Sequence, residues 1–155
     1  MKCYEGKIKG QGRKIAIVVS RFNDFITERL LEGCLRELEK NGLKKSEVVV
    51  AWVPGSLEIP VMAQQLAKKR TIQAVICLGA VIRGETIHFD LVAQQAAQGI
   101  ARVALDTGKP VIFGILTTDT ADQAYKRSDA RGDHKGRDAA RSALEMIDVM
   151  AQVKN

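Results

Sequence analysis

Residues 74–82, AVICLGAVI, form the longest apolar run of the chain and set the first limit on how it can fold. The run is too short to span a bilayer and is rich in residues that suit a pleated, buried surface, so Ala74–Leu78 reads as the heart of a strand, Gln73–Gly79, covered on both faces. Gly79 and Gly84 read as points where the backbone takes tight paths. The run leads into the polar turn Gly84-Glu85-Thr86-Ile87-His88-Phe89-Asp90, which opens a second apolar-periodic segment. Backbone N–H groups at a glycine-containing turn into a helix form a natural anion site, to which the Thr86 hydroxyl adds a donor. A phosphate fits there, with His88 beside it.

The remaining chain repeats this alternation. Lys14–Ser20 is a predicted strand, and Asp24–Lys40 a helix whose apolar side carries Ile26, Leu30, Leu31, Cys34, Leu35 and Leu38, stopped by Asn41-Gly42. Glu47–Val53 is a second strand, followed by a Pro54-Gly55-Ser56 turn and a helix over Leu57–Arg70 with Ser56 as its N-cap. After the third strand come a helix over Asp90–Thr107, a strand over Val111–Leu116, a short helix ending near Arg127, and a last helix over Arg137–Gln152. Strands alternating with helices predict right-handed crossovers and one 1–155 domain, a three-layer α/β/α sandwich with a four-stranded parallel sheet. Residues 3–8 have no crossover helix and are a candidate extra strand, on this chain or on a neighbouring subunit.

Several function classes drop out. The chain carries 24 Lys and Arg against 18 Asp and Glu, a net charge of +6. That permits nucleic-acid binding, yet one Trp, two Tyr and four Phe do not interleave with the basic residues as a stacking platform requires. The first residues lack the apolar run of a secretory signal, and no segment suits a membrane, so the expectation is a cytoplasmic protein. Cys3, Cys34 and Cys77 contain no C-x-x-C pair and read as reduced and packed rather than as disulfides or zinc ligands. Two histidines 46 residues apart leave no metal set. No P-loop follows a strand, Gly10-Gln11-Gly12 precedes the first strand where a dinucleotide fingerprint would follow it, and Pro54-Gly55-Ser56-Leu57-Glu58 is not a nucleophile elbow.

Ligands of open α/β sheets bind beyond the carboxyl ends of the strands. Those ends are Ser20-Arg21-Phe22-Asn23, Val53 to Glu58, Gly79 to His88 and Leu116-Thr117-Thr118-Asp119, which predicts a single rim. Taken together, Arg21-Phe22-Asn23, Val53-Pro54-Gly55-Ser56-Leu57-Glu58-Ile59-Pro60, Gly84 to Asp90, and Phe113-Gly114-Ile115-Leu116-Thr117 with Arg127 and Lys135-Gly136 resemble lumazine synthase. The likeness covers essentially the whole chain, in order, and rests on the combination of motifs.

The resemblance implies a flavodoxin-like enzyme of riboflavin biosynthesis. It would condense 5-amino-6-ribitylaminouracil with 3,4-dihydroxy-2-butanone 4-phosphate to 6,7-dimethyl-8-ribityllumazine, phosphate and water, without metal or organic cofactor. Carried over residue by residue, it makes His88, Arg127 and Lys135 catalytic and assigns phosphate to Gly84, Glu85, Thr86 and Arg127. Phe22, Asn23, Ser56, Leu57, Glu58, Val81, Ile82, Phe113 and Lys135 would hold the pyrimidine and its ribityl chain. Elementary chemistry agrees: Phe22 offers a ring to a flat heterocycle, Ser56 and Glu58 suit a polyol, a histidine titrates near neutrality, and Arg127 presents a fork to phosphate.

Each residue has a plainer alternative. Phe22 could be core, His88 structural, and Arg127 and Lys135 members of a solvated basic face with Lys126, Arg131, Arg137 and Arg141. A flavin or pterin carrier, or a shell protein without turnover, is the competing function. Leu57 stands where many relatives carry a larger aromatic, and Asp138 where Glu is common. As partners the resemblance implies a homopentamer or a sixty-subunit shell, with riboflavin synthase a candidate companion. The break between Arg127 and Lys135, free of insertions, resembles shell-forming relatives.

Overall fold

The computed structural model describes residues 1–155. Its elements are β1 (Ile15–Ser20), α1 (Asp24–Lys40), β2 (Val48–Val53), α2 (Ile59–Ala67), β3 (Ala74–Ile82), α3 (His88–Thr107), β4 (Val111–Thr118), α4 (Ala121–Lys126) and α5 (Lys135–Lys154), with 3₁₀ turns at Lys45–Glu47 and Ser56–Glu58. The four strands form one sheet in the order β2-β1-β3-β4, and every pairing is parallel, as the βαβ pattern predicts.

Because side chains alternate along a strand, β1 and β3 feed two cores. Ile15, Ile17, Val19, Ala74, Ile76 and Leu78 face the layer made by α1 and α5, where Ile26, Leu30, Ala140 and Leu144 meet them. Ala16, Val18, Val75 and Cys77 face α2 and α3 through Ile59, Ala63, Ala96 and Ile100. This two-sided burial explains why the central strands read as continuous apolar runs. Cys34 and Cys77 are buried and Cys3 is exposed; burial pushes the first two thiols well up from their ordinary value.

Several boundaries differ from the sequence expectation, each for a local reason. β3 continues three residues past Gly79, because Ala80, Val81 and Ile82 pair with Leu116, Thr117 and Thr118 and draw β4 out with them. Gly79 is therefore an in-strand residue. A Cβ there would lie 2.7 Å from Ser56 Oγ and 3.1 Å from Ser20 Oγ, so the position is governed by close packing and not by a turn. Ser56 caps nothing; it is buried in the 3₁₀ turn, and α2 begins only at Ile59 with Pro60 in its first turn. α3 begins at His88, two residues before the expected start, and α5 begins at Lys135, where His134 Nδ1 accepts from Arg137 N at 3.2 Å.

Residues 3–8 form no strand on their own chain. They run along α5 instead: Lys7 N donates to Asp148 Oδ2 at 2.9 Å, and Gln152 Nε2 donates to Glu5 O at 2.7 Å.

α2 and α3 touch where Gly99 meets Pro60, and a Cβ on Gly99 would come within 2.7 Å of both Cβ and Cγ of that ring. Alanine in a helix gains about 1 kcal/mol over glycine, but overpacking against a ring that cannot rotate costs about 1–3 kcal/mol. Gly99→Ala is expected to lower stability by about 1 kcal/mol, read from the denaturant midpoint at unchanged slope. A gain in stability would show that the helices part freely.

Candidate active site

The turn after β1 is built by Asn23, which adopts a left-handed conformation at φ 59°, a region where Asn is among the least penalised side chains. Its Nδ2 donates to Ala80 O at 2.8 Å, and Thr27 Oγ1 donates to Ser20 O at 2.8 Å. The first bond ties the β1 turn to the extended part of β3, the second holds the start of α1 to the end of β1, and Phe22 is left projecting, 72% exposed. Phe22 is thus no core residue.

Around it opens a cleft of about 500 Å³, lined by Phe22, Asn23, Pro54 to Glu58, Ala80 to Ile82, Gly84, Thr86, His88, Phe89 and Val92. Ser56 and Val81 form its buried floor, while Leu57, Glu58, Thr86 and His88 are exposed at its edges. Three strand ends and the first turn of α3 converge here, as the sheet topology requires. A largely apolar cleft with a few convergent polar groups is the usual form of a small-molecule site.

The fourth strand end does not join them. Ile112 to Thr117 of β4 line a separate cleft of about 320 Å³ with Arg127, Lys135, Asp138, Ala139 and Ser142, and Thr118 is buried with its hydroxyl donating to Thr120 O at 2.9 Å. The single rim expected from sequence is two clefts within one chain, because β4 is an edge strand and presents its outer side to α5. Phe113 is 44% exposed on that outer side.

Arg127 and Lys135 reach this second cleft through one short segment. Thr120 caps α4 in a capping box with Gln123, Arg127 follows as its last turn closes, Ser128 and His134 form an antiparallel bridge, and Lys135 N donates to Arg127 O at 2.9 Å. Two cations are thereby held at one opening. Lys135 Nζ lies 3.4 Å from Asp133 and 3.8 Å from Asp138, so the shorter carboxylate at 138 still reaches it. Such exposed pairs add little to stability.

Two residues beyond the sequence-level set matter to this geometry. Arg83 donates to Asp119, which together with Asp90 raises its pKa. His134 is buried, and its imidazole occupies the space over Gly33, where a Cβ would lie 2.1 Å from Cε1. Burial is the main cause of its lowered pKa; Arg137 adds to it, while the Arg29 backbone and Asp138 oppose it. Neither residue had a sequence signal: Asp119 is 36 residues from Arg83, and histidine is not a preferred N-cap. A third cleft of about 340 Å³, between α1 and residues 128–137, is lined by mixed charges such as Arg29, Glu32, Arg36 and Glu37. No three of the His, Cys, Asp and Glu side chains come together as a metal set, and no helix is long and apolar enough to cross a membrane.

Comparison with known proteins gives one consistent result. The family model described as 6,7-dimethyl-8-ribityllumazine synthase matches residues 12–151. A protein named 6,7-dimethyl-8-ribityllumazine synthase from Protochlamydia amoebophila (strain UWE25) is 52% identical over 153 residues, covering 99% of this chain and 89% of that relative.

The His134 cap carries a pH signature. Its folded pKa lies below the ordinary 6.5, so as pH falls below about 6.5 the unfolded chain binds a proton that the folded one resists, and stability declines. His134→Asn keeps a side-chain acceptor for Arg137 N without a titrating group. Urea midpoints between pH 7.5 and 5.5 should fall less steeply in the variant than in the parent; equal slopes would place the acid sensitivity elsewhere.

Proposed function

The chain belongs to the 6,7-dimethyl-8-ribityllumazine synthase family, and we propose that its two clefts are halves of one active site, completed when the Phe22–His88 cleft of one subunit meets the β4 edge of the next. The protein is a transferase of riboflavin biosynthesis. The observation that carries the shared site is the separation itself: within one chain, Phe113, Arg127 and Lys135 line the β4 cleft, while Phe22, Ser56, Thr86 and His88 line the other.

Each half supplies what the other lacks. The pyrimidine of 5-amino-6-ribitylaminouracil stacks on Phe22, its edge lies along Val81 and Ile82, and its ribityl chain bonds to Ser56, Glu58 and Asn23 beside Leu57. The phosphate of 3,4-dihydroxy-2-butanone 4-phosphate sits on the Gly84-Glu85-Thr86 backbone, where the neighbour's Arg127 completes its coordination as a bidentate fork. The neighbour's Phe113 closes over the ring, and its Lys135 faces the ring carbonyls or the phosphate. The amine attacks the ketone and one water leaves as the imine forms. Loss of a proton then expels inorganic phosphate, and ring closure releases a second water. His88 moves these protons from the rim, and Arg127 stabilises the departing phosphate.

The same reading makes the working particle a ring built from heterologous contacts, a pentamer in the cytoplasm. The exposed edge of β2, with Val49, Val50 and Trp52 partly uncovered, is available to a neighbour's residues 3–8. Rings of this kind can close into a sixty-subunit shell able to hold riboflavin synthase. The chain acts as one domain, because both cores share the same sheet. A carrier without turnover is the weaker reading, since the 52% identical relative is named for the synthase.

His88→Ala is expected to slow turnover by about 10- to 10⁴-fold with an unchanged thermal midpoint, because the side chain is exposed. Wild-type kcat from pH 6 to 8 would assign proton transfer to another group. For the shared site, Phe22→Ala and Arg127→Ala should each be nearly inactive. Refolded together in equal amounts they should recover roughly a quarter of wild-type activity, since that share of randomly mixed interfaces unites an intact Phe22 with an intact Arg127. Rings of normal size that stay inactive would mean both residues serve the same chain's site.

A further inference from the structure

Between β3 and α3 the chain turns through Gly84–Ile87, and these residues are exposed with almost no packing of their own. A Cβ built on Gly84 would meet nothing within 4 Å. The one side-chain hydrogen bond inside the turn, from His88 N to Thr86 Oγ1, is 3.4 Å long, at the weak end of the range.

Arg83 supplies the missing restraint. Its backbone N–H donates to Thr118 O at 2.8 Å, extending the β3–β4 ladder by one residue. Its Nε donates to Asp119 Oδ1 at 2.9 Å, its Nη1 lies 3.5 Å from Asp90 Oδ2, and its guanidinium sits 4.4 Å from the centroid of the Phe89 ring. Phe89 is buried, so it offers a fixed base for the stack. One side chain therefore grips the end of β4 and the first turn of α3 together, bracketing the turn and His88. It is also the cation paired with Asp90 and Asp119, two carboxylates beside the turn that would otherwise repel an incoming anion.

We infer that Arg83 is a positioning residue for the phosphate end of the site: its clamp on Asp119, Asp90 and Phe89 holds Gly84–Ile87 and His88 in register with the end of β4 and offsets two carboxylates beside the phosphate. The inference rests on the reading of Gly84–Thr86 as the phosphate loop. Exposed ion pairs contribute little to stability, so the clamp acts on loop geometry and local field while the fold persists without it. That separation makes it testable.

The test compares Arg83→Ala, Arg83→Lys and Thr86→Val with the parent enzyme. The readouts are KM for each substrate, thermal midpoint, and competitive inhibition by inorganic phosphate against the butanone phosphate. In Arg83→Ala, KM for the phosphate substrate and the inhibition constant of inorganic phosphate should rise together by roughly 10-fold. KM for the pyrimidine should change less than about twofold, with the midpoint unmoved. Arg83→Lys keeps the charge without the planar fork and should recover only part of the loss; full recovery would overturn the clamp in favour of charge alone. Equal rises in both KM values, or a falling midpoint, would make Arg83 a general structural residue and overturn the inference. If Thr86→Val weakens phosphate while Arg83→Ala does not, the clamp is wrong and the phosphate loop stands. If phosphate inhibition is untouched in Thr86→Val and in Arg83→Ala alike, the loop reading fails and the clamp inference fails with it.

Discussion

The pairing of β3 with β4 out to Ile82 and Thr118 is the contact on which the functional geometry depends. It carries β3 past the body of the sheet, where Ala80 O accepts from Asn23 and so fixes the turn that presents Phe22. It delivers Arg83 opposite Asp119, and with it the entry to α3. It also sends β4 onward to Thr120, the cap of the short helix that ends beside Arg127. Shortening this ladder would loosen both clefts together, the second most directly because Ile112 to Thr117 of β4 form its wall.

The apolar runs made most of the architecture legible. β1 and β3 alternate between two cores, and both sets of partners are apolar, so their sequences announce buried parallel strands. α1 was readable to its ends because Asn41-Gly42 stops it and its stripe is regular. What could not be read were positions where tertiary pairing overrode local propensity. Gly79 has the flexibility that usually marks a break, yet β4 keeps it in the ladder. Ser56 has the chemistry of a cap, but the chain folds it under Gly79. That the first three strand ends meet at one cleft was legible from topology alone. Arg127 and Lys135 stood out from their basic neighbours only through the family likeness, and their separation from His88 within one chain is a matter of strand order at the sheet edge.

The segment from Ser128 to His134 shows how a few residues bring like charges together. A single antiparallel bridge and the bond from Lys135 N to Arg127 O set the backbone. The absence of a side chain on Gly33 lets the imidazole of His134 seat against α1, and Gly136 passes close to Leu30 O for the same reason. With the backbone pinned on both sides, two cations share one opening, an arrangement an anionic ligand would favour. The fold thus sets the two cations by backbone restraint, with Asp133 and Asp138 beside Lys135 to offset their repulsion.

The distribution of thiols has a practical consequence. Cys34 and Cys77 are sealed in opposite cores with their ionisation suppressed, whereas Cys3 lies exposed in the segment that runs along α5. Since the thiolate is the reactive form, a maleimide dye added to the folded single chain would attach at residue 3 and leave both cores untouched. The molecule therefore carries a ready attachment point for a fluorescent reporter on its amino-terminal arm, with no need for engineered cysteines or for removing the native ones.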